Sequence, residues 1–265
     1  MHATLTRTLV SVWSWFVLGV VVIIWTPLVA LTRLVTLPFD KQAYWAGYLW
    51  RKLGWAHSNL TPGWDFKVTG DLPADIRKKP YVVVANHESF VDILLICHVR
   101  TEMKWMSKTD FFRYPLGGWM LRLARDIPLE RGDSASGKAA IAASRERLST
   151  GANVMIFPEG TRSVTGEMRN FRAGAFNLAI DEQVPVLPLV VHGTREAIQT
   201  HDWRVYPTNA EVRILEPVST AGMTSDDMPA LRDQVREMML STQADLRRGY
   251  GTDIAPPADD AIAEG

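Results

Sequence analysis

The sequence predicts an α/β fold: one domain built on a mixed, largely parallel sheet flanked by helices, preceded by a hydrophobic helical anchor. Short β-branched runs alternate with helical patterns after residue 64, and such alternation is typical of a sheet with helices on both faces. An uncharged apolar stretch lies between Arg7 and Arg33. The chain has 265 residues, of which 47% are hydrophobic, and this suffices for one substantial domain plus an appendage.

The predicted elements can be placed along the chain. Strands are expected at Asp65–Thr69, Tyr81–Ala85, Met103–Met106, Asp126–Leu129, Asn153–Phe157, Val186–Val191 and Glu211–Leu215, and helices near Ile93–Val99, Pro115–Leu123, Ser134–Ser149, Ala173–Asp181 and Asp226–Arg248. Asp133 or Ser134 is the expected cap of the third helix, and Gly151 its stop. We predict a membrane-anchoring segment at 1–60, a folded domain at 61–250 that starts at a Thr-Pro-Gly turn, and a disordered acidic tail at 251–265.

The N-terminal segment has the composition of a retained membrane anchor. Leu9–Leu31 exceeds the roughly 20 apolar residues that span a bilayer, and its apolar core is longer than that of a cleaved signal peptide. Pro27 leaves a second geometry open, in which the segment kinks and lies in one leaflet, followed by an amphipathic helix to about Leu53. Seven of the ten tryptophans precede position 65, as expected of an interface-seeking region. The basic flank after Arg33 places the folded domain on the cytoplasmic side.

Composition excludes several classes of function. The formal net charge is zero, so a basic nucleic-acid-binding surface is not indicated. The single cysteine, Cys97, precludes an intramolecular disulfide and a cysteine-rich metal site, and is expected in the core. The sequence has no Gly-x-Ser-x-Gly elbow, and Val91 stands where a His-Glu-x-x-His zinc motif needs its second histidine. No metal site is therefore predicted.

The candidate chemistry begins where the strand Tyr81–Ala85 ends. His87 has an unperturbed pKa near neutrality, and Asp92 could fix its tautomer and stabilise its imidazolium. Positions five apart in one helix diverge by roughly 140°, so the two side chains can meet only if His87 lies in a strand-to-helix loop. A second interpretation stays open: Ser89 and Asp92 also match a helix capping box, which would make Asp92 purely structural.

A second polar turn follows the strand Asn153–Phe157. It reads Pro-Glu-Gly-Thr-Arg-Ser and starts where open α/β sheets bind ligands, at the carboxyl end of a strand. The planar guanidinium of Arg162 is suited to a phosphate. The turn therefore predicts an anion site.

Asn86–Asp92 and Phe157–Ser163 together resemble the His-x4-Asp and Pro-Glu-Gly-Thr-Arg blocks of the glycerolipid acyltransferases, the family that includes 1-acylglycerol-3-phosphate acyltransferase. The resemblance implies transfer of a fatty acyl group from acyl-CoA or acyl carrier protein to the sn-2 hydroxyl of a lysophosphatidate, without a cofactor, at a phospholipid membrane. His87 would be the general base, oriented by Asp92, and Arg162 would bind the acceptor phosphate.

Further residues are assigned by the same resemblance. Arg125–Gly132 is similar to an intermediate block whose arginine, here Arg131, contacts phosphate, and Lys108 lies where relatives often have a substrate-facing lysine. Backbone N–H groups at Glu159, Gly160 and Thr161 would stabilise the tetrahedral oxyanion. Two positions depart from the family pattern: Glu88 replaces Gln, Ser or Thr, and Arg172 replaces lysine.

Two alternatives to lysophosphatidate acylation remain at this point. One is a sister acyltransferase that acts on glycerol-3-phosphate or another lysolipid. The other is a membrane-bound lipid-binding protein that keeps the fold but has lost catalysis.

Overall fold

The computed structural model describes residues 2–199 and 202–252. Its centre is a seven-stranded sheet in the order β1-β7-β6-β2-β5-β3-β4. The strands are β1 Trp64–Thr69, β2 Val82–Ala85, β3 Met103–Lys108, β4 Ile127–Leu129, β5 Asn153–Ile156, β6 Val186–His192 and β7 Thr208–Ile214. Neighbouring strands pair in parallel except β6 and β7, which are antiparallel. The predicted mixed, largely parallel sheet is confirmed.

Helices cover both faces of this sheet. They are α1 His2–Thr36, α2 Tyr44–Leu60, α3 Asp92–Ile96, α4 Gly117–Leu123, α5 Ser134–Ser149, α6 Gly174–Asp181 and α7 Met228–Tyr250, and short 3₁₀ turns lie at Thr109–Arg113, Thr194–Glu196 and Ser225–Asp227. Alternate residues of β2 enter different cores, with Val82 and Val84 on one face and Val83 and Ala85 on the other. A parallel strand buried on both faces reads as a continuous apolar run, as β2 does.

The predicted boundaries are correct for α5 and shift elsewhere. The Asp133 carboxylate caps α5 by accepting the Ala135 N–H at 2.8 Å. The last predicted helix begins at Met228 instead of Asp226, because Thr224 and Asp227 form a capping box around an intervening 3₁₀ turn. The second N-terminal helix continues to Leu60 instead of ending near Leu53.

The N-terminal helix α1 is continuous through Pro27 and packs against α2 and α4. Within the described residues it is the one helix long and apolar enough to cross a membrane. Only 22% of its most apolar 18-residue stretch is buried. Its inner face is tied to the domain by polar contacts: the Ser14 hydroxyl lies 3.0 Å from that of Thr61, and Trp15 Nε1 donates to the Trp203 carbonyl at 2.8 Å. The helix therefore has one docked face and one broad apolar face left outside.

Buried charged side chains join the second helix, α2, to the sheet through ion pairs and hydrogen bonds. Arg51 forms an ion pair with Asp126 and donates to the Met103 carbonyl at 3.0 Å. Lys104, fully buried, contacts Glu102 at 3.0 Å and donates to the Ala43 carbonyl just ahead of α2 at 3.2 Å. A buried charge without its partner is strongly destabilising, so these pairs fix the position of α2 against β3. The boundary drawn at residue 60 stays a prediction, and most of the acidic tail lies outside the described residues.

Candidate active site

The sheet topology gathers the predicted site residues at one edge. β4, β3, β5, β2 and β6 run in parallel, so their carboxyl ends lie together. His87 follows β2, the Glu159–Arg162 turn follows β5, and Arg131 follows β4. Segments far apart in sequence therefore meet in one place, where open α/β sheets bind their ligands.

His87 and Asp92 form the expected pair. His87 Nδ1 lies 2.7 Å from Asp92 Oδ2, and the Asp92 side chain is fully buried. With its Nδ1–H donated to the carboxylate, a neutral imidazole presents the Nε2 lone pair as its basic atom. No residue of the described chain hydrogen-bonds to Nε2, which is not buried from solvent. The ring therefore has one anchored nitrogen and one available nitrogen.

Asp92 also serves the local backbone. Its Oδ2 accepts the N–H groups of Glu88 at 2.7 Å and Ser89 at 2.9 Å, as a residue closing the turn before α3 would. Ser89 Oγ, in return, accepts the Val91 N–H at 3.2 Å and not that of Asp92. The reciprocal capping box is therefore not formed, and Asp92 is not purely structural: one carboxylate contacts the imidazole and ties the turn.

Aromatic packing fixes the plane of the His87 ring. The imidazole stacks on Phe157 with centroids 4.0 Å apart and an interplanar angle of 16°. Phe157 in turn meets Trp105 edge-on at 6.1 Å. Rotation of the His87 ring would break this stack. The direction of Nε2 is therefore set both by the stack on Phe157 and by the contact with Asp92.

Glu159 braces the second loop against the first. Its Oε1 accepts the His87 backbone N–H at 2.7 Å, its Oε2 accepts the Arg169 N–H at 2.8 Å, and the Ser163 N–H donates to the His87 carbonyl at 2.8 Å. Burial raises the pKa of Glu159, and the two N–H donors oppose that rise. Of the three N–H groups expected to stabilise an oxyanion, that of Gly160 already donates to the Phe157 carbonyl at 3.0 Å.

Three arginines face one another beside this loop. Partial burial and the guanidinium groups of Arg162 and Arg172 lower the pKa of Arg131. In the described part of the chain, none of the three forms an ion pair with a carboxylate. Gly160 has φ +73°, and a Cβ there would lie 2.7 Å from Arg172 Nε, so glycine permits this close packing. Guanidinium groups that lie close together without carboxylate partners in the described residues are an arrangement that favours an anion.

Lys108 lies at the end of β3, in register with Leu129 of β4. Leu129 is two residues before Arg131. Its ammonium is paired with Asp110, and this pair raises the pKa of Lys108. Its positive charge is therefore partly balanced, unlike that of the arginines.

Two cavities adjoin the His87 loop. A cleft of about 710 Å³ is lined by Glu88, Ser89, Arg162 and the turn around Arg195. A second, apolar cavity of about 220 Å³ lies between the N-terminal helices and the sheet, lined by Trp50, Leu94 and Leu121 among others. Phe90 lines both. The site thus joins a polar cleft to an apolar cavity.

Sequence reasoning missed three partners of these loops. The Asn86 amide pairs with the backbone of Val191, Thr194 donates to Asp92, and Gln243 of α7 donates to Glu88 Oε1 at 2.9 Å. All three contacts join segments more than 100 positions apart. A single sequence carries no periodic signal for such pairs, although the strand-end position of Thr194 could have suggested it.

Glu88 is held in its neutral form at neutral pH. Burial, together with the adjacent Asp92 carboxylate, raises the pKa of Glu88 to about 8, against the opposing hydrogen bond from Gln243 and the charge of Arg247. A protonated carboxyl resembles an amide in shape and polarity, so this departure from the family pattern preserves the expected character of the position.

Comparisons with known proteins point to one family. The family described as Acyltransferase matches residues 65–192. A 1-acyl-sn-glycerol-3-phosphate acyltransferase alpha from Mus musculus is 35% identical over 62% of this chain and 58% of its own length. A 1-acyl-sn-glycerol-3-phosphate acyltransferase from Chlamydomonas reinhardtii is 33% identical over 88% of this chain and 71% of its own. The chain thus spans between half and three quarters of these relatives.

A solved structure shares the fold. The crystal structure of the 1-acyl-sn-glycerophosphate (LPA) acyltransferase PlsC from Thermotoga maritima superposes with a TM-score of 0.78 at 25% identity, covering 92% of this chain and 97% of that one. Fold and site therefore define an enzyme of the acyltransferase class. Within that class, the chain belongs to the family of 1-acyl-sn-glycerol-3-phosphate acyltransferases.

The state of Glu88 leads to a prediction about stability. Its pKa in the folded protein, about 8, exceeds the ordinary 4.5, so the protein loses stability as pH rises between these values. The Glu88→Gln variant cannot ionise at this position. Its free energy of unfolding should therefore rise relative to that of the wild type by at most about 1.4 kcal/mol for each pH unit crossed. Thermal unfolding from pH 5 to pH 8 measures the difference. Glu167→Gln, at an exposed position, is the control, and a Glu88→Gln advantage that does not grow with pH would contradict the prediction.

Proposed function

We propose that the chain transfers a fatty acyl group from an acyl thioester to the sn-2 hydroxyl of 1-acylglycerol-3-phosphate. The observation that carries this proposal is the His87–Asp92 pair beside a cleft that also receives Arg162. The names of the similar proteins supply the acceptor class. Acyl-CoA or acyl carrier protein is the donor, as the sequence blocks imply.

His87 acts as the general base in this proposal. Its Nε2 removes the proton from the acceptor hydroxyl while the oxygen attacks the thioester carbon. The tetrahedral intermediate then expels the thiolate, which takes the proton back from the imidazolium. Asp92 stays ionised and stabilises the imidazolium formed in between. General base catalysis of this kind contributes roughly 10²–10⁴-fold.

The three arginines hold the acceptor. A phosphate monoester carries up to two negative charges, and Arg131, Arg162 and Arg172 are positive groups without carboxylate partners in the described residues. Fixing the phosphate there directs the glycerol hydroxyl toward His87, which is a proximity effect. The Thr161 N–H would receive the charge of the oxyanion.

The apolar cavity holds an acyl chain. It touches both the His87 loop, through Phe90, and the outer helix α1, through Leu18. The apolar outer face of α1 suits a bilayer, from which both amphiphilic substrates would enter, on the cytoplasmic side that the basic flank predicts. Flotation of the intact chain with phospholipid vesicles checks this attachment.

Removing the base tests the reaction type. His87→Ala should lower kcat for acylation of lysophosphatidate by at least about 10²-fold, with acceptor binding retained. The assay uses labelled lysophosphatidate, glycerol-3-phosphate and several acyl thioesters, with His192→Gln as a control histidine. Undiminished turnover would remove His87 as the base. A wild type that binds lysolipid but acylates none would be a lipid-binding protein.

Removing one arginine tests the anion site. Arg162→Ala should raise the KM for lysophosphatidate by roughly 10- to 100-fold, the equivalent of about 1.5–3 kcal/mol for charged hydrogen bonds. The KM for a neutral monoacylglycerol should change little. Arg169→Ala, on the same loop but outside the lining of the cleft, is the matched control. Equal effects on both acceptors would mean that no phosphate is bound there.

Narrowing the apolar cavity tests its occupant. Leu94→Trp should shift donor preference toward shorter acyl chains, with kcat/KM falling about fourfold for each methylene excluded, at about 0.8 kcal/mol apiece. A series of saturated acyl-CoA donors measures the shift. Leu60→Trp, at an exposed position, is the control. An unchanged preference in folded Leu94→Trp protein would place the chain elsewhere.

A further inference from the structure

We propose that Thr194 is a positioning residue of the active site, whose hydroxyl fixes the Asp92 carboxylate and through it the orientation of His87. The inference rests on the proposed role of that pair in acyl transfer. It assigns a function to a residue outside both sequence blocks, in the connection between β6 and β7.

The two oxygens of Asp92 are used differently. Oδ2 receives the His87 ring and the N–H groups of Glu88 and Ser89, which all belong to the same short loop. Oδ1 accepts the hydroxyl of Thr194, 102 positions away in sequence. Both side chains are fully buried. Thr194 therefore supplies the contact that ties this carboxylate to a part of the protein outside its own loop.

The position of Thr194 is itself constrained. The Asn86 side chain donates to the Val191 carbonyl at 2.9 Å and accepts its N–H at 2.8 Å, which locks the ends of β2 and β6 together. Gly193 then turns the chain with φ +89°, where a Cβ would lie 2.3 Å from the Asn209 carbonyl oxygen. The turn that delivers the Thr194 hydroxyl thus admits only glycine at its first position.

The hydroxyl has two effects on the pair. It holds the carboxylate against rotation, so that Oδ2 stays aligned with His87 Nδ1. It also disperses the negative charge of Asp92, because a donated hydrogen bond stabilises the ionised form. Without it, the carboxylate is free to rotate, and its alignment with His87 Nδ1 is lost.

Other charges face the same pair and are unchanged by substitution at 194. Glu88 lies on the His87 loop, Glu159 on the loop after β5, and Arg247 on α7. The neighbouring cleft adds Arg162, Arg195 and Glu196. A change seen at His87 on removing the hydroxyl is therefore assigned to Thr194.

Thr194→Val keeps the volume and removes the hydroxyl, whereas Thr194→Ser keeps the hydroxyl and removes the methyl group. We expect the valine variant to lose at least tenfold in kcat, with KM for donor and acceptor within twofold of wild type. The serine variant should restore kcat. A valine variant with wild-type kcat would overturn the proposal.

A double-substitution cycle separates positioning from general stability. If Thr194 acts through Asp92, Asp92→Asn/Thr194→Val should be no slower than Asp92→Asn alone. Fully multiplicative losses would overturn the proposal. If Thr194→Val does not fold, Thr194→Cys, whose thiol is a weaker donor, replaces it. Its kcat should lie between those of Thr194→Ser and Asp92→Asn. A wild-type kcat in Thr194→Cys would contradict the assignment.

One readout does not depend on turnover. The Nδ1–H proton of His87, which is held in its hydrogen bond to Asp92, should exchange with solvent more slowly by NMR in wild type than in Thr194→Val, whichever acceptor the enzyme uses. A wild type that acylates no lysolipid would refute the proposed function and leave this test standing. An unchanged Nδ1–H signal in an active Thr194→Val enzyme would refute only the role of Thr194.

Discussion

The buried carboxylate of Asp92 is the interaction on which the rest of the site depends. It accepts hydrogen bonds from an imidazole, two backbone N–H groups and a threonine hydroxyl, so its two oxygens have their partners without solvent. An unpartnered charge at this depth would be costly. The same four bonds shape the turn before α3, so the local fold and the orientation of His87 arise from one group.

The sheet explains why the remaining parts assemble around it. Parallel strands deliver their following loops to a common edge, and β2, β5 and β6 are direct neighbours. Each loop is then fastened to the next by specific bonds: Glu159 to the His87 backbone, Asn86 to Val191, Thr194 to Asp92. The arginines occupy the exposed rim of the site, where solvent screens their mutual repulsion.

Much of the fold and of the candidate site could be predicted from the sequence because it follows from local residue patterns. The apolar run of β2 followed by polar residues placed His87 in a loop, and the spacing to Asp92 required that placement. The contacts of Thr194, Asn86 and Gln243 could not be predicted, since they depend on the order of strands and the docking of α7. The raised pKa of Glu88 also required coordinates, because it depends on burial and on the adjacent Asp92 carboxylate. The exact ends of α2 and α7 depended on capping and packing that propensity does not encode.

Helix α7 has a consequence for the timing of synthesis. Gln243 and Arg247 hold Glu88 and the Gly166 carbonyl from the far end of the chain, with 155 positions separating Gln243 from Glu88. A ribosome adding 5–20 residues each second needs about 8–30 s to cover that distance. The apolar N-terminal helix therefore emerges, and can meet a bilayer, well before the last contacts of the site exist. A nascent chain would be delivered to its lipid surface while still inactive, and would mature there.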